Sequence, residues 1–305
     1  MDERKARRAL EEEFHFERLH GLIEEIGVQS DRAVVSLVGE GMKHYRGIAA
    51  RFLTAISSAG VNVEVIAQGS TECAIAVVVR GEDAQPATRA CHTAFFSHST
   101  HIDLVLLGCG NVGSELLDQV QRQARSLVEH HVDLRVRAIA NSRQLLVADD
   151  VIDLATWQSD LAEQGQPWGL DDIIDIRKKL GLLSPTIVDC TTDQDLALQY
   201  VRFLDSGFNI VAANKKANTS DYGYYQDMRN AAARNFRTFL YETNVAAGLP
   251  FIDTLQGLIR SGDELKTFEG ILSGSLSMIV GLLEDGETLS SAVTRAMELG
   301  YTEPD

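Results

Sequence analysis

The chain has 305 residues, with 28 Lys and Arg against 44 Asp and Glu, and the resulting charge of −16 argues against broad binding to nucleic acid or anionic membranes. That length predicts two domains, each able to bury its own core. No apolar run reaches the roughly 18 residues of a membrane span, and Met1-Asp2-Glu3-Arg4-Lys5 lacks the apolar stretch of a signal peptide. The four cysteines, Cys73, Cys91, Cys109 and Cys190, are scattered without CxxC pairing, which fits a cytoplasmic protein with neither disulfides nor a zinc site.

Residues 3–26 are charge-rich, with apolar positions at Leu10, Phe14, Leu19, Leu22, Ile23 and Ile26, and read as helix without a core of its own. Residues 1–32 are accordingly expected to be a helical linker from an upstream domain. From Ala33 to Phe96 the pattern becomes strand (34–39), helix (47–58), strand (61–66), strand (74–79) and helix (84–95). This βαββα order over 33–98, with the loops Gly39-Glu40-Gly41-Met42 and Gly60-Val61-Asn62-Val63, resembles the ACT family of amino-acid-sensing modules. The resemblance implies an effector held near Gly41 and Asn62. Threonine, lysine and no effector are each compatible with it, and a purely dimerising platform is the alternative.

A short polar linker leads to the apolar run Ile102-Asp103-Leu104-Val105-Leu106-Leu107 and then to Gly108-Cys109-Gly110-Asn111-Val112-Gly113. Behind the glycines, Leu116, Leu117, Val120, Ala124, Leu127 and Val128 recur at helical spacing. A GxGxxG between a buried strand and an amphipathic helix points to a dinucleotide pyrophosphate at the helix N-terminus. Gly108 would make the tight turn, Gly110 would admit the phosphates, and Gly113 would let helix pack on strand. The next strand, Leu134–Ala140, ends in Asn141-Ser142-Arg143, where NAD enzymes place a ribose-binding acid. No acid stands there. Ser142 and Arg143 can instead take a 2′-phosphate, so NADP is favoured over NAD; the alternative is that Arg143 is a solvated loop residue.

A mostly helical insertion is expected over 151–183, with Trp157 and Trp168 packing it down. Strands at 186–189, 209–212 and 238–241 then alternate with helices at 193–205 and 220–235, so the fold class is α/β with a doubly wound parallel sheet over 101–242. Loops after these strands, Cys190-Thr191-Thr192, Asn214-Lys215-Lys216 and Glu242 to Pro250, lie at the carboxyl edge where such sheets bind ligands. The threonines can bond a cofactor. Lys215 or Lys216 can polarise a carbonyl or move a proton, or simply face solvent.

From Ile102 onward the segments GCGNVG, DCTTD, AANKKANT, YETNVAAGLP, GILSGSLS and GYTEPD resemble homoserine dehydrogenase, and with the ACT-like unit upstream the chain resembles the central portion of the bifunctional aspartokinase–homoserine dehydrogenases. The resemblance implies reduction of aspartate 4-semialdehyde to homoserine with NAD(P)H, or its reverse. It implies Lys215 as the active-site lysine, Thr191 and Thr192 at the cofactor, and Gly274, Ser275, Tyr301 and Glu303 at the substrate. It further implies a monovalent cation such as Na+ on Glu242 and the carbonyls of Val245, Ala247 and Leu249, and a homodimer or homotetramer. Residues 243–305 are then the start of an α+β substrate and dimerisation domain. Two departures stand out: Ala246 replaces the family's usual glycine, and the family's motif runs on past Asp305 into an acidic loop and a second lysine. The expectation is a piece trimmed at both ends that binds cofactor better than it turns over.

Two rivals differ in class. A nucleophilic Cys190 would need a histidine base, yet all eight histidines precede residue 132. A sensing or assembly module without catalysis is the other.

Overall fold

Alternating apolar residues in the first third of the chain and strand–helix alternation beyond it build separate sheets, and the chain divides into two units, residues 1–97 and 98–305. The structure is a computed structural model and describes residues 3–23, 26–69, 73–96, 99–182 and 185–302.

In the first unit, helices α1 (Glu3–Glu13) and α2 (His15–Leu19) precede β1 (Arg32–Val38), α3 (Ile48–Ser58), β2 (Val65–Gln68), β3 (Ala74–Arg80) and α4 (Ala84–Phe96). The single helix expected over 3–26 is thus broken at Phe14 and ends at Leu19, with Phe16, Leu19 and Leu22 exposed. The sheet runs β1-β3-β2 with both pairs antiparallel. Period-2 alternation puts Val35, Ile75, Val77 and Val79 on the buried face, where Phe52 and Ile56 of α3 and Ala87 and Ala90 of α4 complete the core. The expected strand at 61–66 begins only at Val65. Gly60, at φ +74°, closes α3 instead: its N–H donates to Ser57 O and that of Val61 to Ile56 O. Val61 therefore belongs to a Schellman cap and is buried beneath the helix end.

The second unit contains β4 (Thr100–Leu107), α5 (Asn111–Glu129), β5 (Val132–Ala140), β6 (Leu145–Val147), α6 (Trp157–Gln164), α7 (Leu170–Lys179) and β7 (Pro185–Asp189). These are followed by α8 (Gln194–Ala197), α9 (Tyr200–Asp205), β8 (Asn209–Ala212), α10 (Tyr222–Arg234), β9 (Phe239–Leu240), α11 (Ile252–Arg260), α12 (Gly274–Glu284) and α13 (Leu289–Glu298). Sheet order is β6-β5-β4-β7-β8-β9, all parallel except the short β6, which pairs antiparallel to β5. The periodicity reading missed β6. Its three residues are too few for a pattern, and tertiary pairing with Ala138–Ala140 makes it a strand.

The expected helix over 193–205 is two helices, α8 and α9. The hydroxyl of Tyr224 from α10 enters the break, accepting from Tyr200 N at 3.1 Å and donating to Ala197 O at 2.8 Å. A side chain thereby takes over backbone groups that a continuous helix would pair internally. One consequence of the sheet order matters most for function: the chain leaves β4 toward β5 on one side and returns to β7 on the other, so a crevice opens at the carboxyl ends of β4 and β7.

Candidate functional site

The glycine motif sits at that crevice. Gly108 follows β4 at φ +90°, a conformation costly for any residue with a Cβ, and its N–H is held by Ala140 O at 2.8 Å. A Cβ there would stand 2.7 Å from Thr191 Cγ2 and 2.9 Å from the Cys190 carbonyl carbon. At Gly113 a Cβ would lie 2.0 Å from Gly108 O, so only glycine allows α5 this close to the turn. Gly110 is different: a Cβ there would meet nothing within 4 Å. Gly110, Asn111 and Val112 are exposed and no side chain caps α5, leaving first-turn N–H groups facing open space as an anion would need.

At the tip of β5, Asn141 builds the turn. Its Oδ1 accepts from the N–H groups of Arg143 and Gln144 at 2.8 and 2.7 Å, and its carbonyl accepts from Trp168 Nε1 at 2.9 Å. Ser142 and Arg143 are exposed, and the Arg143 guanidinium has no hydrogen bond or ion pair among the described residues.

Three loops are stitched together along the carboxyl edge. Asp189, fully buried at the end of β7, accepts from Thr191 N at 2.7 Å, Tyr200 Oη at 2.6 Å and Asn214 Nδ2 at 3.1 Å. Asn214 Nδ2 also donates to Thr191 Oγ1 and Asp193 O, and Asn214 Oδ1 accepts from Lys216 N. This joins the Thr191-Thr192 loop to the Lys215-Lys216 loop. The latter joins the third: Asn218 Nδ2 donates to Asn244 Oδ1 at 2.8 Å, and Asn244 Nδ2 to Ala212 O at 2.8 Å. Lys215 and Lys216 are both exposed on this edge. Asp189, Tyr200 and Asn218 were not assigned roles from the sequence; an acid ending an apolar strand is the one signal that could have marked the cluster.

Burial and the neighbouring Asp189 push the Cys190 thiol up to about 12. A thiol so disfavoured as thiolate at neutral pH does not serve as a nucleophile.

Past β9, Glu242 acts as a clamp. Oε1 accepts from Ile252 N and Oε2 from Asp253 N, each at 2.8 Å, so the carboxylate caps α11. Val245 and Ala247 have carbonyls that accept no hydrogen bond among the described residues, whereas that of Leu249 accepts from Phe251 N at 2.8 Å. Ala246 and Ala247 stand at φ +58° and +51°. Each costs on the order of 1 kcal/mol that glycine would not.

Ser273 caps α12 ahead of Gly274, and the Ser275 hydroxyl donates to Tyr301 O, bringing those two together. Glu303 lies outside the described residues. In the first unit, Gly41 lies in the turn after β1, whose last residue Val38 pairs with Ala74. Asn62 precedes β2, whose first residue Val65 pairs with Val78. The two predicted effector residues are therefore at opposite ends of the sheet, and one copy of this unit does not bring them together.

A Gly-rich turn at the strand-order reversal, free first-turn amides and a basic second-strand tip define a nicotinamide-dinucleotide-binding domain of Rossmann type, preceded by an ACT domain. Family models agree: ACT domain over 35–95, homoserine dehydrogenase NAD-binding domain over 108–242, and homoserine dehydrogenase over 250–305. The chain is 45% identical over 300 residues to a bifunctional aspartokinase/homoserine dehydrogenase of Haemophilus influenzae, covering 98% of this chain and 37% of that one. It is 40% identical to that of Buchnera aphidicola, covering 96% and 36%. The homoserine dehydrogenase of Thermoplasma acidophilum superposes with TM-score 0.54 at 25% identity, covering 68% of this chain and 63% of that one. The chain carries an ACT domain followed by the NAD-binding and catalytic-domain segments of the homoserine dehydrogenase family, and it spans about 37% of the length of the first of these relatives. Among the described residues no helix is long and apolar enough to cross a membrane.

Proposed function

We propose that this chain is the homoserine dehydrogenase portion of such a bifunctional enzyme, catalysing the NADPH-dependent interconversion of aspartate 4-semialdehyde and homoserine under ACT regulation. The observation that supports it is the stitched carboxyl edge: Thr191 packs against the Gly108 turn, and Asn214, next to Lys215 in the chain, donates to Thr191 Oγ1. When bound, the nicotinamide cofactor supplies or accepts the hydride. The α5 N-terminus holds the pyrophosphate, Thr191 and Thr192 orient the nicotinamide end, and Lys215 holds a proton at the substrate's reacting oxygen. Gly274, Ser275 and Tyr301 stand on the substrate side, and Glu303, outside the described residues, is the fourth residue that the resemblance implies there. A monovalent cation such as Na+ fits the free carbonyls of Val245 and Ala247 with the remaining lone pairs of Glu242, while Leu249 offers a carbonyl already shared with Phe251. The four free cysteines suit a cytoplasmic enzyme. Dehydrogenation of homoserine with NADP+ by this chain extended through the acidic loop and second lysine of the family's motif is the direct test, and its absence there when cofactor is bound would favour the sensing-module reading.

The exposed Arg143 is expected to read the 2′-phosphate. Losing a charge-assisted contact is worth roughly 10- to 100-fold, so Arg143→Ala should weaken NADPH by that factor and leave NADH unchanged in a fluorescence titration. Equal weakening of both sinks the assignment.

With Gly41 and Asn62 at opposite sheet ends, an effector site using both needs a second ACT unit, which a homodimer or homotetramer would supply. Threonine or lysine at a hundredfold excess over Kd would stabilise the fold by about 2.7 kcal/mol. Asn62→Ala should erase that melting shift and leave NADPH affinity intact. If neither amino acid shifts melting of the unmutated chain, the platform reading stands.

A further inference from the structure

Asp189 is a fully buried carboxylate that the proposed chemistry leaves unused. Everything the structure sets against it is a donor: Thr191 N–H, the Tyr200 hydroxyl at 2.6 Å and the Asn214 amide at 3.1 Å. An acid ringed by donors, with no ion pair among the described residues, is arranged to hold negative charge. Burial raises the Asp189 carboxyl above the ordinary carboxylate range, and the bonds from Tyr200, Thr191 and Asn214 work against that rise. Two of the three donors belong to loops at the carboxyl edge, and Asp189 itself ends β7 opposite Leu107, the last residue of β4 before the glycine turn. A charge exposed at that edge is screened by solvent. The buried charge is not.

We propose that Asp189 sets the preference of this crevice for the oxidised, positively charged nicotinamide over the reduced, neutral one, by holding a fixed negative charge beneath the loops of Thr191 and Asn214. The inference rests on the cofactor reading given above and deepens it. A unit charge acting on another across about 10 Å, at an effective dielectric of about 20, changes an equilibrium by roughly tenfold. Asp189 thereby acts as a specificity-determining residue for redox state and touches neither substrate nor hydride.

The test is calorimetric titration of the full 305-residue chain with NADP+ and with NADPH, compared across Asp189→Asn and Tyr200→Phe. Asp189→Asn removes the charge and keeps an acceptor for the Tyr200 hydroxyl, whereas Tyr200→Phe keeps the carboxyl and removes a bond that favours its charged form. Asp189→Asn should lower the affinity for NADP+ relative to NADPH by about tenfold, and Tyr200→Phe should lower that ratio by less or leave it unmoved. Equal weakening of both forms in Asp189→Asn overturns the proposal, as does a ratio that falls further in Tyr200→Phe than in Asp189→Asn. Should Asp189→Asn not fold, the unmutated chain decides: the ratio should fall as pH drops from about 8 to about 5 and Asp189 takes up a proton, and an unchanged ratio overturns the charge reading. Failure of the unmutated chain to bind either form removes the cofactor reading itself, an outcome distinct from an unmoved ratio.

Discussion

Gly113→Ala is expected to abolish NADPH binding and lower stability together. Its Cβ would stand 2.0 Å from Gly108 O and 3.0 Å from Gly108 C. Neither is a flexible side-chain end, so α5 must move away from β4. Overpacking of this kind costs typically ~1–3 kcal/mol, and the shift carries the pyrophosphate-facing amides out of position. Gly110→Ala provides the contrast. Its Cβ would meet nothing within 4 Å, so the fold should melt unchanged while NADPH affinity falls, because the methyl occupies the space a phosphate needs. Denaturant unfolding and NADPH fluorescence on both variants separate the two effects. If Gly113→Ala binds NADPH as the unmutated chain does, the turn is only a turn.

Loss of Lys215 is expected to be the largest catalytic defect. Hydride transfer to a carbonyl leaves negative charge on oxygen, and a positioned proton donor is worth roughly 10²–10⁴-fold in rate. In a chain extended through the acidic loop and second lysine of the family's motif, Lys215→Ala should therefore reduce NADP-dependent homoserine oxidation by that factor. Lys216→Ala distinguishes the two lysines that the sequence leaves open. Lys216 contributes its backbone N–H to Asn214 Oδ1 at 3.0 Å, a bond its side chain does not enter, so that variant should stay within about twofold of the unmutated rate. Equal losses in both variants would mean that general positive potential at the edge, rather than a placed proton, is what the reaction uses.

Much of this site was legible residue by residue. Gly108 and Gly113 were readable because a positive φ and a close approach each restrict the local choice to glycine. The parallel sheet was readable because apolar runs alternating with helical periodicity can bury themselves in few other ways. Arg143 was readable as a charge where an acid was expected. Glu242 was readable only in part: the family resemblance implied oxygen ligation, but its capping of Ile252 and Asp253 depends on α11 arriving ten residues later at that carboxylate.

The sequence by itself determined the α/β class, the glycine turn, the three carboxyl-edge loops and the βαββα order of the first unit, because each rests on periodicity or on the steric demands of a few adjacent residues. Only the tertiary structure decided that Tyr224 splits the helix expected over 193–205 and that Val61 caps α3 instead of opening a strand. It alone placed Gly41 and Asn62 at opposite ends of a sheet, and made Asp189 a buried hub rather than a surface acid. The Val61 cap is closed by local bonds to Ser57 and Ile56 that compete with the strand pattern, whereas for Tyr224 and Asp189 the physical reason is distance in sequence. The cost of burying a polar group, and the partners that offset it, come from elements distant in sequence, and no local pattern encodes which of them will meet.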